Sequence, residues 1–154
     1  MYNSENLVKE LTNKHGRERQ SLLPILQGIV SKHNYLTDEA MVEIAKELEI
    51  SAAEVYGIAS FYTFLDTKER GKYVIRICKT ITCSMKGKGE IIQIIEDMLK
   101  IKVGETTVDK QFSLLETNCI GWCHKAPAIL INDTPYTDLT AERIVEIIKG
   151  YIQK

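Results

Sequence analysis

The stretch Cys78-Lys-Thr-Ile-Thr-Cys83 follows directly on "KYVIRICK" (residues 72–79), and its reading decides the fold of the second half of the chain. In "KYVIRICK", Tyr73, Ile75 and Ile77 alternate with Lys72, Val74 and Arg76, the period of a strand. Two thiols five positions apart thus stand where that strand ends. The remaining cysteines are Cys119 and Cys123, four positions apart in "CIGWCHKAP" (residues 119–127). The full order is C-x4-C, thirty-five intervening residues, then C-x3-C.

Outward from the first pair, "GKGEIIQIIEDMLKI" (residues 87–101) predicts a helix with Ile91, Ile94, Ile95, Met98 and Leu99 on one stripe. "FSLLETNC" (residues 112–119) reads as a second strand ending at Cys119. "PAILIND" and "TPYTDL" read as two short strands, and "TAERIVEIIKGYIQK" as a closing helix capped by Thr140. The order is β-α-β-β-β-α. Toward the N-terminus the period becomes helical. "RERQSLLPILQGIVSKHN" (residues 17–34) places Leu22, Leu23, Ile25, Leu26, Ile29 and Val30 near helical spacing, with Pro24 in the first turn. "TDEAMVEIAKELEI" starts at a Thr37 N-cap and buries Met41, Ile44, Ala45 and Leu48. "SAAEVYGIASFYTFL" starts at Ser51, with Glu54 three residues on in a capping-box pattern. Its aromatic group, Tyr56, Phe61, Tyr62 and Phe64, is expected in the core, the alternative being contact with a partner. "DTKERG" (residues 66–71) interrupts with charge and glycine. The expected organisation is α+β: an N-terminal helical bundle over residues 1–66 and a second domain over residues 72–154.

The 154 residues carry a net charge of −1, with 44% apolar and 27% charged side chains, enough for real cores and without the basic excess of a nucleic-acid binder. No apolar run approaches the roughly 18 residues of a membrane span. The start, "MYNSENLVKELTNKHG", is polar and lacks a signal-peptide core. A cytoplasmic location follows, with no membrane insertion. In that reducing compartment four cysteines point to metal binding or catalysis before a disulfide framework.

Four thiolates satisfy a structural zinc, a 2Fe–2S cluster with two thiolates per iron, or a pair of redox disulfides. Zinc knuckles use mainly C-x2-C, and dithiol redox sites C-x-x-C, which is absent here. The wider spacing suits a cluster, while zinc and disulfides stay open on spacing alone. His124 next to the last cysteine raises a Rieske-type site, which the presence of all four cysteines disfavours. "KGKG" (residues 86–89) lacks the spacing of a P-loop or dinucleotide fingerprint and reads as a turn into a helix. No dinucleotide fingerprint, flavin motif or acid–base constellation is found, so no catalytic residue is assigned.

Beyond the cysteines, "LLPILQGIVSKHNYLTDEAMVEIAKELEISAAEVYGIASFYTFL" and "CIGWCHKAPAILINDTPYTDLTAERI" resemble the thioredoxin-like 2Fe–2S ferredoxins. The resemblance runs from about Leu22 to Ile148. Within that family it looks like the NuoE-type small subunit of NADH dehydrogenase (complex I), with which the HydC-type subunits of NAD-linked and electron-bifurcating hydrogenases belong. It implies a helical bundle followed by a thioredoxin-like domain. It further implies that Cys78 and Cys83 hold one iron of a 2Fe–2S cluster and Cys119 and Cys123 the other. The role implied is one-electron transfer in a hetero-oligomeric NAD(P)H-linked oxidoreductase. The expected partners are a flavoprotein subunit carrying FMN and the NAD(P)H site, and further iron–sulfur or catalytic subunits. The absence of a long C-terminal extension leans towards the hydrogenase and bifurcating hosts. The alternative is a zinc-stabilised interaction module without a redox role.

Departures from the family pattern stand beside the ligands, His124 after the last cysteine among them. The first loop reads Lys79, Thr80, Ile81, Thr82 without the family's common glycine, and Trp122 stands where smaller residues are frequent. Trp122 either shields the centre from water or packs the loop. Lys79, Lys86, Lys88 and Lys125 predict positive charge around the site, the alternative being ordinary solvated lysines. Cationic neighbours favour the more negative, reduced state of such a centre.

Overall fold

A computed structural model of the protein describes residues 4–153; the first three residues of the polar start and Lys154 of the closing helix lie outside the described residues. The chain divides between Glu69 and Arg70 into two compact units.

The first unit is helical: α1 (Ser4–His15), a 3-10 turn (Arg19–Ser21), α2 (Leu22–His33), α3 (Asp38–Glu47) and α4 (Ala52–Phe61). Helix α1 is an addition to the sequence reading. Its short stripe, Leu7, Val8 and Leu11, is buried although charged residues dilute the pattern. Pro24 falls in the first turn of α2, where it forfeits no helical bond. Helix α2 ends where Asn34 turns left-handed at φ 65°. The N-caps of the next two helices stand at Thr37 and Ser51 as expected, while the Glu54 carboxylate pairs with Arg19. Thr37 Oγ1 accepts from the Ala40 amide and Ser51 Oγ from the Glu54 amide, each at 3.1 Å. Leu22, Ile25, Leu26, Ile29, Leu36, Met41 and Ile44 build the core.

The aromatic group does not join that core. Tyr56, Tyr62 and Phe64 are exposed, and Phe61 is 77% accessible. The inward stripe of α4 is Val55 and Ala59, one turn apart, and each residue turns about 100° round the helix axis. Tyr56 and Phe61 therefore lie off that stripe, and the helix ends before Tyr62.

The second unit contains β1 (Tyr73–Cys78), α5 (Ile81–Met85), α6 (Lys88–Leu99), β2 (Phe112–Thr117), a 3-10 turn (Cys123–Lys125), β3 (Ile129–Ile131), β4 (Thr134–Tyr136) and α7 (Ala141–Ile152). The sheet order is β2-β1-β3-β4. Strands β1 and β2 are parallel, so a crossover must join them, and α6 supplies it. The β1–β3 and β3–β4 pairs are antiparallel. Together the two units form the α+β arrangement expected from the sequence. The alternation in β1 has another outcome than the sequence pattern suggests: Val74 and Arg76 are buried along with Ile75 and Ile77, so both faces of the strand are covered.

Ile75, Ile77, Leu114, Ile129 and Ile131 of the sheet pack with Ile91 and Ile95 of α6 and Ile144 and Ile148 of α7. Each such side chain contributes roughly 1.5–3 kcal/mol on leaving water. Among the described residues, no helix is long and apolar enough to cross a membrane.

Strand register then places the cysteines. Cys78, the last residue of β1, stands opposite Thr117, the last residue of β2. Ile77 stands opposite Ile129, the first residue of β3. The segment after β1, the segment after β2 and the entry to β3 thus meet at one end of the sheet.

Candidate metal centre

Three local devices deliver the four cysteines to that end: the tip of β1, helix α5 and the turn after β2. Cys78 is buried at the tip of β1, where the Lys79 amide bonds the Thr117 carbonyl at 2.9 Å and ties the strand ends together. Cys83 is also buried, but not in an open loop as expected. It sits inside α5, a helix that the polar, β-branched sequence of residues 79–84 does not announce. Cys119 and Cys123 are exposed in the turn after β2. That strand stops at Thr117, two residues before the expected end. Gly121 carries the turn at φ 87°, a left-handed conformation that suits glycine. All four thiols are free.

The thiols form two pairs. Cys119 Sγ and Cys123 Sγ lie 3.2 Å apart. Cys78 and Cys83 form the second, buried pair, near enough that each shifts the ionisation of the other. The pairs also face one another: the Ile120 amide of the second loop donates to the Cys78 sulfur, and charge on Cys78 or Cys83 disfavours ionisation of Cys123.

Backbone and side-chain donors converge on these sulfurs. Burial pushes the Cys78 thiol up, but donors from the Thr80 hydroxyl, the Thr80 amide, Cys83 and the Ile120 amide outweigh it and hold it below its ordinary value. Burial raises the Cys83 thiol, and the Ala128 amide offsets this in part. The Cys119 thiol raises Cys123, followed by burial and by charge on the other three. The Gly121 amide donates to Cys119 Sγ at 3.4 Å.

These contacts test the fit to a metal centre. Thiolates crowded this closely repel one another, and a bound cation removes that cost. Among the described residues, no three His, Cys, Asp or Glu side chains gather as one ion's ligand group. Cys119 and Cys123 are one close pair and Cys78 and Cys83 a buried one, a set of four thiols such as a 2Fe–2S centre takes. The donor set fits a 2Fe–2S group.

The surroundings correct part of the charge expectation. Lys88 is engaged with Glu116 at 2.9 Å, an ion pair linking the start of α6 to the end of β2. Lys79, Lys86 and Lys125 are exposed. Trp122 is half-buried and stacks on His124, with ring centroids 5.8 Å apart and planes at 26°. The two rings lie on either side of Cys123 in sequence. A contact missed from sequence is Thr80 Oγ1 on Cys78 Sγ, at 3.1 Å. The only signal available was a hydroxyl two residues after a cysteine.

Comparison with known proteins follows the same line. The family described as "Thioredoxin-like [2Fe-2S] ferredoxin" matches residues 8–152. An NADH-quinone oxidoreductase subunit of Rickettsia felis is 37% identical over 151 residues, covering 95% of this chain and 89% of that protein. NADH dehydrogenase [ubiquinone] flavoprotein 2, mitochondrial, of Dictyostelium discoideum is 36% identical over 152 residues, covering 96% of this chain and 62% of that protein. Among solved structures, an NAD+-reducing [NiFe]-hydrogenase in the air-oxidized state superposes with a TM-score of 0.78 at 27% identity. That match covers 86% of this chain, which spans 23% of the hydrogenase chain. On the match over residues 8–152, with its thioredoxin-like sheet and four free cysteines, this chain belongs to the thioredoxin-like 2Fe–2S ferredoxin family.

Proposed function

We propose that the protein is the one-electron-transfer 2Fe–2S subunit of a multi-subunit NAD(P)H-linked oxidoreductase. The observation that carries this reading is the two-by-two placement of thiols, with Cys119 and Cys123 at 3.2 Å, in a chain of this family. Cys78 and Cys83 hold one iron, and Cys119 and Cys123 the other. The cluster, when bound, supplies a site that gains and loses single electrons. This chain's residues hold that site at the sheet end. Cys78 and Cys83 provide a buried pair and Cys119 and Cys123 an exposed pair. The Ile120, Gly121 and Ala128 amides orient the sulfurs and offset their negative charge.

A hydride brings two electrons, so a one-electron carrier works beside a flavin that divides the pair. The partner is accordingly a flavoprotein subunit with FMN and the nicotinamide site, inside a complex with further iron–sulfur or catalytic subunits. Complex I-like and hydrogenase-like hosts are both consistent with the relatives named above. The two domains are residues 1–66 and 72–154. A cytoplasmic location is supported by the four unpaired cysteines, which suit a reducing compartment.

The test is anaerobic purification with a UV–visible spectrum and iron and acid-labile sulfide assays on one sample. Visible thiolate-to-iron bands with about two irons and about two sulfides per chain are expected for a cluster held by four cysteines. A colourless protein with about one zinc per chain, the content of a closed four-cysteine site, would overturn the reading.

A further inference from the structure

Helices in this chain that begin with a threonine or serine cap mostly use the side chain in one way. Thr37, Ser51 and Thr140 each accept from the amide three residues on, at 3.1, 3.1 and 3.3 Å. Thr80 occupies the same N-cap position of α5 and has the same extended backbone, φ −68° and ψ 156°, yet makes no side-chain cap bond. Its hydroxyl lies 3.1 Å from Cys78 Sγ instead. The helix that carries Cys83 has thus given up its side-chain cap, and the hydroxyl points back at the sulfur two residues upstream.

Once Cys78 is an iron-bound thiolate, its sulfur carries no proton and acts only as an acceptor. The hydroxyl proton of Thr80 must then be the donor, since the other direction requires a thiol proton. A donor on a ligand sulfur favours the state with more negative charge. Reduction by one electron adds one negative charge to the centre, so this bond strengthens on reduction.

We propose that Thr80 is a positioning residue that raises the reduction potential of the centre through a hydroxyl-to-Cys78 hydrogen bond. This inference rests on the ligand assignment above. The Thr80 amide and the Ile120 amide also donate to Cys78 and are untouched by side-chain substitution, so the hydroxyl contribution is separable.

The experiment compares the unchanged protein with Thr80→Ser, Thr80→Val and Thr80→Ala. Each is purified anaerobically, assayed for iron and sulfide, and titrated with a chemical reductant and mediators while the reduced signal is followed by EPR. Thr80→Ser keeps the hydroxyl and is expected to match the unchanged protein. Thr80→Val and Thr80→Ala remove it while differing in bulk, and both are expected to titrate at a more negative potential. Equal potentials for all loaded variants would overturn the proposal. So would a Thr80→Ser protein that shifts as far as Thr80→Val. Loss of the cluster from both hydroxyl-free variants with Thr80→Ser normal also overturns it, because the hydroxyl then serves retention and not potential. If the unchanged protein binds no iron, it is the ligand assignment that fails.

Discussion

Cys119 Sγ lies 3.2 Å from Cys123 Sγ on the surface, while Cys78 and Cys83 are both buried. The two halves of the proposed ligand set therefore differ in what they contribute to folding. Substitution of an exposed side chain away from special contacts usually changes stability by no more than about 0.5 kcal/mol. Cys119→Ala and Cys123→Ala are expected to leave denaturant stability of the metal-free protein nearly unchanged while iron and sulfide content collapses. Denaturation and metal assays on the same preparations check this; retention of both irons in either variant would remove that cysteine from the ligand set.

A second prediction separates two glycines. A Cβ on Gly71 would stand 2.8 Å from backbone atoms of Phe112, whereas one on Gly28 would meet the side chain of Leu11, its two methyls at 2.7 and 3.0 Å. Backbone in a paired strand does not give way, and a leucine side chain can change rotamer. The Gly71 amide also donates to the buried Ser113 Oγ at 2.8 Å, fixing this approach. Gly71→Ala is expected to cost about 1–3 kcal/mol, as overpacking does. Gly28→Ala should change stability much less, because alanine in a helix interior returns roughly 0.5–1 kcal/mol against the Leu11 adjustment. Urea denaturation of both variants decides; equal losses would contradict the distinction.

Alkaline pH should loosen the second unit through one tyrosine. Burial pushes the Tyr151 hydroxyl up to about 12, helped by its hydrogen bond with Tyr136 and by charge on Tyr136 and Tyr73. The two hydroxyls are 3.0 Å apart. In the unfolded chain tyrosine ionises at its ordinary value of 10.0, so above that pH the folded state holds the proton the unfolded state releases. This contribution to stability is complete below 10.0 and is lost as pH rises towards about 12. Tyr151→Phe should flatten the alkaline limb of a stability–pH curve, and an unchanged limb would exclude Tyr151 as its source.

The first unit should show the opposite limb. Burial lowers the His33 pKa below its ordinary value of 6.5, and the positive charge of Lys32 adds to the effect. Below 6.5 the unfolded state takes up the proton more readily than the folded one. The contribution of neutral His33 is therefore whole above that pH and declines as pH falls through the folded value. His33→Gln should lose less stability on acidification than the unchanged protein when both are followed by denaturant titration at stepped pH.

Much of this molecule was legible in local pattern. The caps at Thr37, Ser51 and Thr140, the stripe of α6 and the strand of "KYVIRICK" follow from chemistry within a few residues, which a sequence displays directly. The four cysteines and their spacing are likewise covalent facts, and with the surrounding motifs they determined the family. The tertiary structure decided what depends on neighbours distant in sequence. Helix α5, which carries Cys83, forms although most of its residues are poor helix formers and although its N-cap hydroxyl, Thr80, turns to the Cys78 sulfur and caps nothing. Burial of Val74 and Arg76 means that both faces of β1 are covered, which alternation along one strand cannot reveal. Lys88 reads as one more free cation until Glu116, twenty-eight residues away, is folded against it. Residue types and local period are written along the chain; pairing, burial and the direction in which a hydroxyl points are set by what packs beside it.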